Sequence, residues 1–195
     1  MAYIEGIGEN GRLDDSVLKP IDTGQKLWIP ASISYMRMKE NAKKDGVDIQ
    51  LVGNFSAYRP CGRKGDYTKG LSGGKFTQWY AWELYKAGKG NLASNPTTSK
   101  GCKSNHGFGM AIDVKGSKAQ NWIKKNGEKY GWTWGEAPSE DWHFTYRPNK
   151  DTFFSEESLR KGSVNSTALK GIGYAMIFLS VVGFAFGLYY FTRKK

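Results

Sequence analysis

A chain of 195 residues accommodates one domain of about 150 residues plus an appendage, a size that builds its own core without covalent staples. Two cysteines, Cys61 and Cys102, exclude a disulfide scaffold and lie too far apart for a C-x-x-C zinc pair; a single disulfide between them stays open for an oxidising compartment. The formal charge of +11 stays strongly positive without the three C-terminal basic residues, which suits nucleic acid, anionic lipid or an anionic wall polymer as partner and equally a solvated basic surface with no specific patch.

Residues 1–30 are rich in Gly, Asp and Pro with little periodicity, and predict a mostly irregular arm that admits a short strand or turn. The domain proper is expected over residues 31–150. Its first helix is predicted at residues 32–45, SISYMRMKENAKKD, with Ser32 or Ser34 as N-cap. Alternation in DIQLVGNF, residues 48–55, predicts a strand. A glycine- and lysine-rich loop over 60–75 leads to a second helix, in which Phe76, Tyr80 and Leu84 recur every four residues and Gly88 ends the turn. That spacing assigns the three side chains to the core. A third helix, capped by its serine, is predicted over 117–130. Beyond it Trp142, Phe144 and Tyr146 alternate as on a strand, leaving His143 and Thr145 on the opposite face.

A polar linker over 151–167 precedes a predicted transmembrane helix at 168–192 and a basic tail at 193–195. Residues 171–191 carry no charge, and at about 1.5 Å per residue they reach across a hydrocarbon layer of about 30 Å. Tyr174, Tyr189 and Tyr190 lie near the two ends, and Gly183 and Gly187 form a small-xxx-small pair suited to helix-mediated self-association. Basic residues flank the span on both sides, so charge gives no orientation. The start, MAYIEGIGENGRLDD, lacks the basic and apolar runs of a secretory signal, and delivery to an exterior is expected to depend on something else.

The chemistry concentrates in two short stretches. The only two histidines are His106 in SNHGFGMAID and His143 in EDWHF. Gly107 and Gly109 disfavour a helix after His106, so a loop running into a strand is expected. On that strand Gly109, Ala111 and Asp113 share one face, while Met110, Ile112 and Val114 take the apolar one. His143 on a second strand also turns from its apolar neighbours. Two imidazoles and one carboxylate match a catalytic zinc, which keeps a fourth position for water. The water needs a base, and Glu140 is the candidate, with Glu136 and Asp141 as nearby competitors. Singly, each histidine reads equally as a satisfied structural residue and Asp113 as a turn acid; together they favour a metal.

SNHGFGMAID fits the pattern S-x-H-x-x-G-x-A-x-D, EDWHF resembles an E-x-W-H segment, and SAYRP at 56–60 resembles an upstream S-x-Y-R segment. In this order and spacing, over roughly 30–150, the chain resembles the VanY-like D-alanyl-D-alanine carboxypeptidases, zinc peptidases that include phage endolysins. The resemblance implies an α+β fold with a small antiparallel sheet and packed helices. It implies zinc on His106, Asp113 and His143, Glu140 as acid/base, Arg59 facing the scissile carbonyl, and Ser104 holding substrate near the metal. The implied substrate is the peptidoglycan stem peptide, cut by an endopeptidase or a D-Ala-releasing carboxypeptidase. Where relatives continue into a polar helix, Pro60, Cys61 and Gly62 follow Arg59 here, and Cys102 precedes Ser104. A Cys61–Cys102 disulfide tying these loops is therefore expected.

The predicted span and absent signal suggest a membrane-anchored phage product in the host membrane or periplasm, or in the virion, serving lysis or entry. The rival reading is a catalytically silent, zinc-containing wall-binding or structural virion protein. A nucleic-acid partner is not expected, because the basic residues are scattered and the aromatics fall mostly on core faces.

Overall fold

Residues 1–30 hold more structure than their composition announces. In the computed structural model, which describes residues 3–4, 7–98, 101–137 and 139–154, β1 (Tyr3–Ile4) pairs antiparallel with β2 (Gly8–Glu9). A 3-10 turn at Asp15–Val17 leads into β3 (Leu18–Pro20), which forms a hairpin with β4 (Lys26–Trp28). Leu13, Val17, Leu18, Ile21, Leu27 and Trp28 are buried in the common core. The expected irregular arm is thus corrected to an integral part of the domain. Strands of two or three residues are too short to leave a periodic pattern.

Helix α1 (Ile29–Lys44) begins three residues before the predicted start, with Pro30 in its first turn, where a missing N–H costs nothing. Ser32 and Ser34 are not caps. Both are buried inside the helix, and Ser34 Oγ donates to the Tyr130 carbonyl. Ala31, Tyr35, Met38 and Ala42 lie along one face and are fully buried. The expected strand over 48–55 contracts to β5 (Gln50–Leu51). Gly53, at φ +104°, turns the chain out of the sheet and sends Phe55 elsewhere.

Helix α2 (Gln78–Lys86) is capped by Thr77, whose hydroxyl accepts from Tyr80 N. Its buried residues are Gln78 and Ala81, while Phe76, Tyr80 and Leu84 are only partly covered. Their assignment to the core is therefore corrected. The remaining elements are β6 (Ala111–Lys115), α3 (Ser117–Asn126), β7 (Tyr130–Thr133) and β8 (His143–Asp151). Helix α3 follows Gly116 rather than a serine cap and ends earlier than predicted, in a 3-10 turn at Gly127–Lys129.

Strands β5, β6, β8 and β7, in that spatial order, make an antiparallel sheet of four strands. One face carries Ile112, Val114, Phe144 and Tyr146 into the core against α1. The fold is α+β with small antiparallel sheets, as expected. The expected transmembrane helix, its tail, the glycine pair and the linker beyond residue 154 lie outside the described residues. Among those described, no helix is long and apolar enough to cross a membrane.

Cys61 and Cys102 are joined by a disulfide across 41 residues. Closing a loop of that length removes denatured-state entropy worth about 4 kcal/mol. Replacing both cysteines by serine should lower the thermal midpoint by about 10 °C, at roughly 2–4 °C per kcal/mol. An unchanged midpoint in a calorimetric scan would exclude this contribution.

Candidate active site

The sheet register brings the first two site residues together. Asp113 on β6 stands directly opposite His143 on β8, and both project from the face away from the apolar core. His143 Nδ1 lies 3.0 Å from Asp113 Oδ1. His106 arrives from a 3-10 turn, Asn105–Phe108, and its Nε2 lies 3.3 Å from the same oxygen.

Two glycines make that turn possible. Gly109, at φ +63°, ends it in the left-handed region, and a Cβ there would lie 2.5 Å from Trp28 N. Gly107 packs against two buried amides: a Cβ would collide with Asn10 Oδ1 and Gln78 Nε2. Those amides hold the turn in place. Gln78 Nε2 donates to Asn10 Oδ1 (2.9 Å), Asn10 Nδ2 donates to the Ser104 carbonyl (2.9 Å), and Ser104 N donates to Gln78 Oε1 (3.1 Å). Gly11 N also donates to the Gly107 carbonyl at 2.7 Å, so the N-terminal segment is laced to the site.

Arg59 enters from the loop after β5. Its Nη2 donates to the Phe55 carbonyl at 3.2 Å and to Asp113 Oδ2 at 3.4 Å, and its guanidinium lies over the Phe76 ring. Its buried Nε has no partner among the described residues. The disulfide joins the chain two residues after Arg59 to the chain two residues before Ser104. It therefore clamps the Arg59 loop to the His106 turn.

Arg59, Ser104, His106, Asp113, Glu140 and His143 all line one cleft of about 630 Å³. The cleft is lined as well by Phe55, Phe76, Leu84 and residues 89–95. The three candidate bases separate here. Glu136 accepts from Arg147 Nε at 2.7 Å, and Asp141 pairs with Lys124 at 2.6 Å on the surface. Glu140 lines the cleft, as Glu136 does, but has no ion pair among the described residues.

The charges are strongly coupled. Burial pushes the Asp113 carboxyl up, but His106, His143 and Arg59 outweigh it and hold the group far below the usual carboxylate range. Burial pushes the His106 imidazole down, which favours the neutral form that a metal ligand needs. The Glu140 carboxyl is pushed up by burial and by Asp113, against the pull of His143 and Arg59.

The donor set fits a zinc ion. One donor atom each from His106, Asp113 and His143 falls within 4.8 Å of the others. His106 Nδ1 faces the Ala57 carbonyl at 2.9 Å, so donation there leaves Nε2 with its lone pair toward Asp113. Sequence reasoning missed Asn10, Gln78 and the Ala57 carbonyl, because buried amides and backbone acceptors leave no motif. The one signal available was Gln78, an uncharged polar residue at the start of an aromatic-rich helix.

No known family profile and no curated protein matches the chain. Solved structures similar to it include a variant of the VanY D,D-pentapeptidase from a VanB-type vancomycin resistance cassette in complex with Zn(II). That alignment has a TM-score of 0.44 and 19% identity over 66% of this chain and 77% of that one. The LdcB LD-carboxypeptidase aligns at TM-score 0.45 and 18% identity, over 70% of each chain. DacB from Streptococcus pneumoniae aligns at TM-score 0.41 and 18% identity, over 80% of this chain and 81% of that one.

The packing around Gly107 makes a direct prediction. Gly107→Ala should lose about 1–3 kcal/mol in urea denaturation, the usual cost of overpacking. A variant as stable as the parent would show that the Asn10–Gln78 contact does not restrain the turn.

Proposed function

We propose that this chain is a zinc-dependent peptidase acting on the stem peptides of peptidoglycan. The observation that carries the reading is the convergence of His106, Asp113, His143, Glu140 and Arg59 on one cleft. The three sequence motifs that resemble the VanY-like peptidases supply these same residues. His106, Asp113 and His143 would hold the metal. When bound, zinc supplies Lewis acidity toward an amide carbonyl and lowers the pKa of a water to about 7.

The chain's own groups do the rest. Glu140 takes a proton from the attacking water and returns it to the leaving amine; its half-buried position, which raises its affinity for protons, suits both transfers. Arg59 is held through Nη2 by the Phe55 carbonyl and Asp113, and its guanidinium lies over the Phe76 ring, so it presents a fixed cation to the oxygen that gains charge. Ser104, at the rim of the His106 turn, supplies a hydroxyl to orient the peptide. A basic surface suits the anionic wall polymer. A wall-binding protein without turnover would also keep zinc, but it would need neither Glu140 nor Arg59 beside the ligands.

The uncharged run at 171–191 supports anchoring by a single C-terminal helix, and Gly183 and Gly187 support pairing of such helices. Such an anchor accords with a phage-encoded lysis or entry enzyme.

Peptidoglycan incubated with the zinc-loaded 195-residue chain should yield new cleaved stem peptides by mass spectrometry. His143→Ala or a chelator should abolish them, and Glu140→Gln should slow their release by at least about 100-fold. No cleavage of several wall types by folded, zinc-loaded protein would contradict the reading.

A further inference from the structure

His106 and His143 differ in what holds the ring nitrogen turned away from Asp113. A ligating histidine generally donates that second N–H to a fixed acceptor, which sets the tautomer and the ring plane. For His106 the acceptor is the backbone carbonyl of Ala57, at 2.9 Å. For His143 it is a side chain: Nε2 lies 3.4 Å from Thr145 Oγ1. The two residues share a face of β8 because they are two apart on a strand.

Thr145 is fully buried and is itself braced. Asn105 Nδ2 donates to Thr145 Oγ1 at 3.2 Å and to Glu136 Oε2 at 2.9 Å. Glu136 is in turn clamped by Arg147, whose Nε donates to Oε1 at 2.7 Å and whose Nη2 pairs with the same oxygen. The chain Arg147, Glu136, Asn105, Thr145, His143 thus runs from the cleft rim to the metal site. It also crosses three elements: β8, the loop that carries Glu140, and the turn that carries His106.

The polarity at Asn105 is fixed. Both Asn105 hydrogens are placed, one on a carboxylate and one on the hydroxyl oxygen, so Asn105 acts there only as donor. With zinc on Nδ1 the ring proton sits on Nε2, and Thr145 Oγ1 keeps a second lone pair, 3.4 Å away, to accept it. A valine in this position would fill the same space without an acceptor.

From this geometry we infer that Thr145 is a positioning residue for zinc, holding His143 in the tautomer that ligates through Nδ1, with Asn105 and Glu136 bracing it. The inference rests on the proposed metal site, but its test does not depend on peptidoglycan cleavage.

Zinc affinity is measured for the 195-residue chain by competition with a chromophoric chelator, alongside the nitrogen chemical shifts of the His143 ring. Thr145→Val should weaken zinc about 10- to 100-fold and move the His143 nitrogen shifts toward a tautomer mixture, with the metal-free thermal midpoint nearly unchanged. Thr145→Ser, which restores the hydroxyl, should recover affinity to within about threefold. Asn105→Ala should give a smaller loss, and it leaves the buried strand position untouched should Thr145→Val fold poorly. Parental zinc affinity and ring shifts in both Thr145→Val and Asn105→Ala would overturn the inference, as would a parent chain that binds no zinc. A parent that binds zinc and cleaves nothing would leave this inference standing and remove the peptidase reading instead.

Discussion

The site depends on one buried carboxylate. Asp113 sits almost without solvent between two imidazoles and a guanidinium, with Oδ1 facing both histidines and Oδ2 facing Arg59. An unpaired charge in such a place is strongly unfavourable, so the three partners and the carboxylate hold one another in position. The antiparallel register of β6 and β8 sets Asp113 opposite His143, and a slip by one residue would turn both into the apolar core. Packing of Ile112, Val114, Phe144 and Tyr146 on the other face opposes that slip. The hydrophobic core and the polar site are thus two faces of the same pair of strands.

Around this centre the loops are fastened rather than left free. The disulfide joins the Arg59 loop to the His106 turn, the Asn10–Gln78 amide pair supports that turn from below, and the Arg147–Glu136 pair restrains the loop bearing Glu140. Each fastening joins segments distant in sequence. A peptidase needs such preorganisation, because a base or oxyanion donor about 1 Å out of place can lose about 100-fold in rate.

The same distinction explains what could be read from the sequence. Asp113 and His143 are legible because strand alternation puts them on the face opposite their apolar neighbours, while His106, on a turn, is legible only as one of two histidines and from its motif. What separates Glu140 from Glu136 and Asp141 is not legible from spacing, since the Arg147 and Lys124 pairs that occupy the other two are supplied by the tertiary fold. The every-fourth spacing of Phe76, Tyr80 and Leu84 does announce a helix, although Phe76 stands just before its cap, Thr77. Phe76 and Leu84 border the cleft rather than the core, and the helix buries Gln78 and Ala81 instead. The first 30 residues fail for another reason: strands this short carry no period, and their burial comes from long-range contacts such as Trp28 N to the Gly109 carbonyl.

The most direct test of the account is the metal itself. Elemental analysis with X-ray absorption on the purified chain should find about one zinc per chain, bound by two imidazoles and a carboxylate with no sulfur in the first shell. Replacing His106, Asp113 or His143 by alanine should each remove it. A sulfur-ligated metal, or zinc retained in all three variants, would contradict the site described here.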